Sequence, residues 1–185
     1  MTFKRWLPTF LAFPVGGYLV IETIGSRADP LSAAAGGLVV GVLVGAGQWL
    51  ALRPTRIGRR WAAYTAGAAA GGTALAAAVA GTGTGIGDLM LNGLITGAAV
   101  GAAQSALLGR AALARVAWTA VTAAAWALGW LVTGNVIVDA ERGHHAFGSS
   151  GAIVVTVITG LALRRILGTR AVGDAALRPA AAPSA

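Results

Sequence analysis

The side chains with the most chemistry lie close together late in the chain. Asp139, Glu141, His144 and His145 all fall there, and imidazole with carboxylate is a usual ligand set for a divalent metal. These are the only 2 histidines, and neighbouring residues on a helix point about 100 degrees apart, which argues against joint ligation from one helix face. A solvated loop is the favoured interpretation, and a metal-dependent membrane enzyme is the least favoured function.

The rest of the sequence gives little support for catalysis. No serine lies in a nucleophile-elbow sequence, and no cysteine is present. The glycine-rich run from Gly81 to Gly87 resembles a phosphate-binding loop but has neither its lysine nor a preceding strand. We therefore predict a protein that is not an enzyme and that has no cofactor.

Gln48, Gln104 and Thr159 form a second candidate group. Each lies on an apolar segment close to a basic cluster, and an amide in hydrocarbon needs a hydrogen-bond partner. We expect the three to form a ring about a pseudo-threefold axis that holds helices together. The alternative is that they line a polar pathway, as in a passive channel or a transporter of small neutral solutes.

Basic residues define the elements that must position these groups. Neighbouring basic clusters are separated by enough residues for two bilayer crossings of about 20 residues each. Only Asp174 of the 6 acidic residues lies with the clusters. Since Lys and Arg are retained on the cytoplasmic side, both termini are predicted to be cytoplasmic, in a multi-pass protein of the inner (plasma) membrane. Twelve of the 14 basic residues make up the four clusters: Lys4 and Arg5; Arg53, Arg56, Arg59 and Arg60; Arg110 and Arg115; Arg164, Arg165, Arg170 and Arg178.

Composition agrees with a lipid environment. Hydrophobic residues make up 56% of the chain and charged residues 11%, a balance that suits a lipid-facing bundle. Basic residues at segment ends, without interleaved aromatics, favour lipid head groups over nucleic acid as partners. We predict an all-α bundle of six transmembrane helices: Trp6 to Gly25, Leu31 to Leu52, Trp61 to Gly81, Ile86 to Leu108, Val116 to Asn135, and His145 to Ile166.

An internal repeat groups these helices in pairs. Trp6, Trp61 and Trp118 begin the odd-numbered helices, and such rings near a basic cluster are typical of the head-group level. Three helical hairpins are predicted, at about residues 5–56, 60–113 and 115–167, in one transmembrane domain of residues 1–170. A disordered tail of residues 171–185 follows. A glycine follows each tryptophan after eleven residues: Gly17, Gly72 and Gly129.

Even-numbered helices carry a second glycine pattern. The spacing of four residues places each set on one helix face, where backbones can approach closely. The motif G-x-x-x-G-x-x-x-G-x-x-Q-W-x-x-L-R, from Gly37 to Arg53, resembles repeats in small multi-pass bacterial membrane proteins. Gly67 and Gly71 offer a similar face on the third helix. The two sets are Gly37, Gly41 and Gly45, and Gly93, Gly97 and Gly101.

These patterns predict a protein that acts through helix contacts. Abundant small-residue faces and the lack of charge inside the membrane favour a non-enzymatic accessory or scaffolding subunit of a larger membrane assembly. Its partners would be the lipid bilayer and other membrane-protein subunits.

Overall fold

The structure, a computed structural model, describes residues 2–25, 29–55, 57–109, 111–136 and 148–176. Within these ranges there are helices and connecting turns and no strand, which confirms the predicted all-α class. The elements are α1 (Phe3–Trp6), a 3-10 segment (Leu7–Leu11), α2 (Ala12–Thr23), α3 (Pro30–Leu52), α4 (Arg60–Ala80), α5 (Ile86–Ser105), α6 (Ala112–Val136) and α7 (Ser149–Ala176).

Five of these helices, α3 to α7, are long and apolar enough to cross a membrane. The first predicted crossing is instead divided into α1, the 3-10 segment and the 12-residue α2. Pro8 and Pro14 lie in this region, and neither can donate a main-chain hydrogen bond to the preceding turn. A tighter 3-10 turn accommodates that loss at the junction.

Several predicted boundaries are wrong, among them the start of α6, which lies at Ala112 and not at Val116. Helix α5 ends at Ser105, and residues 106–108 form a turn, whereas a helix to Leu108 was expected. Helix α7 runs to Ala176, past the expected end at Ile166 and into the segment assigned to a tail from residue 171. Alanine is the strongest helix former, and Ala171, Ala175 and Ala176 lie in the part of the helix beyond the apolar stripe.

The helices form a closed ring in chain order. Helix α3 packs against α4 and α5 against α6, and these are the two most extensive interfaces. Pairs α2–α3, α4–α5 and α6–α7 are the three hairpins, and α7 returns to the 3-10 segment and α2. The second helix of each hairpin thus contacts the first helix of the next one.

Glycines on α3 and α5, the second helices of the first two hairpins, bring successive hairpins together. A Cβ at Gly41 would lie 2.7 Å from the Ala69 Cβ and 2.8 Å from the Ala66 Cα. A Cβ at Gly97 would lie 2.8 Å from the Thr122 carbonyl oxygen. No larger residue fits at either position unless the helices separate. The other glycines of the two sets approach the neighbouring helix as closely. Gly37 and Gly45 contact α4, and Gly93 and Gly101 contact α6.

Glycines on α4 and α6, the first helices of two hairpins, contact the second helix of the same hairpin instead. A Cβ at Gly72 would lie 2.9 Å from the Ala99 Cβ on α5. The Gly129 carbonyl is the atom nearest to a Cβ built at Gly151 on α7, and Gly17 is buried on α2. The two glycine patterns therefore belong to two different kinds of interface.

Gly67 and Gly71 differ from these. Both lie on α4 and are exposed, and no atom would lie within 4 Å of a Cβ at either. The face they form points away from the bundle.

Glycine positions should respond to alanine in opposite directions. Gly41→Ala should lower the free energy of unfolding in detergent by about 1–3 kcal/mol, because the methyl group overpacks a backbone contact. Gly71→Ala should leave stability unchanged or raise it by up to about 1 kcal/mol, since it adds helix propensity in open space. Denaturation followed by circular dichroism measures both, and equal effects would contradict the assigned packing.

Candidate functional site

Three buried tryptophans mark the candidate site. Trp6, Trp61 and Trp118 have exposed fractions of 0%, 0% and 1%. The rings therefore do not face lipid head groups, because they point into the bundle and pack together, with 5.9 Å between the Trp61 and Trp118 ring centroids. Each lies near the start of the first helix of its hairpin and reaches the second helix of a neighbouring hairpin.

Each of two indoles is hydrogen-bonded to a glutamine of the preceding hairpin. The Trp61 Nε1–H donates to the Gln48 Oε1 at 2.9 Å. The Trp118 Nε1–H donates to the Gln104 Oε1 at 3.2 Å. The repeated tryptophan and the repeated glutamine are thus two halves of one contact across a hairpin boundary.

The two glutamines also join each other. The Gln104 Nε2 donates to the Gln48 Oε1 at 3.1 Å and to the Thr65 Oγ1 at 2.8 Å. The Thr65 hydroxyl donates in turn to the Trp61 carbonyl at 2.8 Å. Both Gln48 and Gln104 are buried. One continuous network therefore runs from α3 through α4 and α5 to α6.

The third hairpin makes the contact differently. Thr159, which occupies the glutamine position, donates to the Val155 carbonyl of its own helix at 2.7 Å. The Trp6 Nε1–H donates instead to the Thr156 carbonyl at 3.0 Å. A Cβ at Gly160 would lie 2.5 Å from the Trp6 Cδ1, so the ring rests directly on the α7 backbone. Thr159 is near the predicted ring but is not hydrogen-bonded to the glutamines.

Apolar layers lie on both sides of this network. On one side the leucines that follow the glutamines in each repeat are buried with the tryptophans. On the other side the valines that precede them are buried, with exposed fractions of 1–2%. The polar groups are thereby excluded from solvent along the axis. The two sets are Leu52, Leu108 and Leu163, and Val44, Val100 and Val155.

The network contains only neutral groups. Amides, indoles and hydroxyls neither gain nor lose a proton near pH 7, so the layer supplies no general acid, base or activated nucleophile. Its Gln104 carbonyl and amide groups are used within the network, as are the indole N–H groups of Trp61 and Trp118. Such an arrangement fixes helices in register.

Threonines of this layer were missed in the sequence. Thr9, Thr65 and Thr122 lie three or four residues after the repeated tryptophans and are all buried. Thr65 and Thr122 donate to the tryptophan carbonyl one turn back. The Thr9 hydroxyl is buried without a partner, on the 3-10 segment. A threonine three or four residues after each of the three tryptophans was the sequence signal that could have identified them.

The metal candidates Asp139, Glu141, His144 and His145 lie outside the described residues. Within the described part of the chain, no group of three or more His, Cys, Asp or Glu side chains is positioned to hold a metal ion.

Removing the central amide tests the network. Gln104→Leu keeps the side-chain volume but leaves the Trp118 N–H buried without an acceptor, so the free energy of unfolding should fall by about 1–3 kcal/mol. Thr159→Val removes a hydroxyl that bonds only to its own helix and should cost under about 1 kcal/mol. Unfolding in mixed micelles, followed by tryptophan fluorescence, measures both. Equal losses would contradict a network that joins hairpins.

The chain matches no protein-family model, no curated protein and no solved structure.

Proposed function

We propose that this chain is a non-enzymatic integral membrane protein that acts through helix contacts, as an accessory or scaffolding subunit of a larger membrane assembly. The observation that carries the proposal is the closed axis: buried amides and indoles bond to one another between two apolar layers. A protein built in this way has a rigid centre, and its outer faces are available to contact other membrane proteins.

A passive channel is the main competing function. It would need a wettable path beside Gln48 and Gln104, because a permeating solute must exchange its water for polar groups on the protein. The Gln48 Oε1 and both polar atoms of the Gln104 amide are hydrogen-bonded, and both side chains are buried. This packing favours a structural role for the polar layer.

The outer surface supports association with other membrane proteins. Helix α4 exposes Gly67 and Gly71 with open space in front of both. Small residues four apart let a second helix approach closely in lipid, where van der Waals packing drives association. Leu75 and Val79 continue the same exposed face.

Topology is part of the proposal. The divided first segment, α1 to α2, would be the sixth crossing, and both termini would lie in the cytoplasm of a cell whose inner (plasma) membrane holds the protein. Lys4, Arg5, Arg53 and Arg60 fall at the ends that this arrangement places inside. The glycine-rich turn around Thr82 would then face outward.

Single cysteines test both parts, since the natural chain has none. A cysteine at Gly71 should crosslink to another membrane protein in native membranes. Cysteines at Gly58 and Thr82 should react with an impermeant maleimide from opposite sides of the membrane. Ala125→Cys, at a fully buried position, is the control and should do neither. A lone monomer without crosslinks would contradict the scaffold, and labelling from one side would contradict the topology.

A further inference from the structure

A groove runs along the outside of the α5–α6 pair and belongs neither to the axis nor to the α4 face. Its volume is about 550 Å³. Small side chains form its floor, with Ala98 on α5 and Ala120 and Ala123 on α6, and Leu94 and Val116 are at its sides. The groove is therefore apolar for most of its length.

One end of the groove is polar. Arg115 lines that end together with Ser105 and Thr119. Arg115 is exposed and, within the described residues, makes no ion pair. Both hydroxyls donate to carbonyls of their own helices, at 2.7 Å for Ser105 and 3.0 Å for Thr119. The charge at this end is thus positive and uncompensated.

Two residues that line the groove are smaller than their counterparts in the first hairpin. The first hairpin has Val42 and Trp49 where the second has Ala98 and Ser105, in the register that aligns Gln48 with Gln104. In the first hairpin the Trp49 ring packs against an arginine, with the Arg53 guanidinium 4.7 Å from the ring centroid. Two smaller residues in the second hairpin leave the corresponding space open.

From this geometry we infer that the α5–α6 groove binds an anionic phospholipid. The Arg115 guanidinium takes the phosphate, which it can contact through two N–H groups. An acyl chain lies along the alanine floor. Ala123 is two helical turns from Arg115, about 12 Å at 1.5 Å per residue. An extended acyl chain is long enough to span that distance.

Charge complementarity selects this occupant over a partner helix. An apolar helix laid on the alanine floor would bury the Arg115 charge against apolar side chains. A phospholipid places its phosphate at Arg115 and its acyl chain on the alanines. In the proposed topology Arg115 lies on the cytoplasmic side, where anionic lipid head groups attract basic side chains. The inference rests on the chain being in a membrane and not on its scaffold role.

Native mass spectrometry of the full chain in detergent tests the site. Dioleoylphosphatidylglycerol should bind as one retained molecule, and dioleoylphosphatidylcholine should bind more weakly. Arg115→Gln should weaken phosphatidylglycerol binding about fivefold, the effect of one basic contact near a lipid surface. Arg60→Gln removes the same charge from the start of α4, away from the groove, and should leave binding unchanged.

Filling the groove tests its apolar part. Ala120→Leu should displace the bound lipid although Arg115 is intact, while Ala63→Leu, at the exposed alanine that corresponds to it on α4, should not. Both positions are exposed, so the variants should fold, which circular dichroism checks. Equal binding of the two lipids, or no effect of Arg115→Gln, would overturn the site. Lipid that remains bound to Ala120→Leu would also overturn it.

Discussion

The close approach of helix backbones is the constraint on which the rest of the structure depends. Where a glycine face meets the next hairpin, the main chains lie too near for any Cβ. At that separation the indole of Trp61 or Trp118 reaches a glutamine on the neighbouring helix. The glycine contacts and the indole hydrogen bonds therefore depend on each other. A wider helix spacing would leave the indole N–H groups buried without acceptors, and lipid offers none to replace them.

Repetition of this contact explains both the order and the asymmetry of the bundle. Two interfaces use an indole, an amide and three glycines, and these are the most extensive. The third uses Trp6 on the α7 backbone at Gly160, beside a 3-10 segment whose Thr9 hydroxyl lacks a partner. The ring of hairpins therefore closes at the interface with the fewest specific contacts. The first and third hairpins are therefore joined by fewer specific contacts than the other two pairs.

Much of the fold could be predicted because it follows from local pattern. Glycines at intervals of four residues, and a glutamine one turn beyond, indicated both the packing faces and the polar contact across them. The direction of Trp6, Trp61 and Trp118 could not be predicted, because a tryptophan beside an arginine suits a head-group position and a buried one equally well. Choosing between them needs the neighbouring helix, which sequence spacing alone does not supply. The end of α7 was missed for a different reason: alanine prolongs a helix without any apolar stripe.

Solute flux through reconstituted liposomes tests most directly the claim that the polar layer locks the bundle. The account predicts no flux of small neutral solutes or ions above that of empty liposomes, because Gln48, Gln104 and the tryptophans over them close the axis. Flux through the natural protein that falls in the double variant Gln48→Ala and Gln104→Ala would contradict it and would establish a pathway along the same residues.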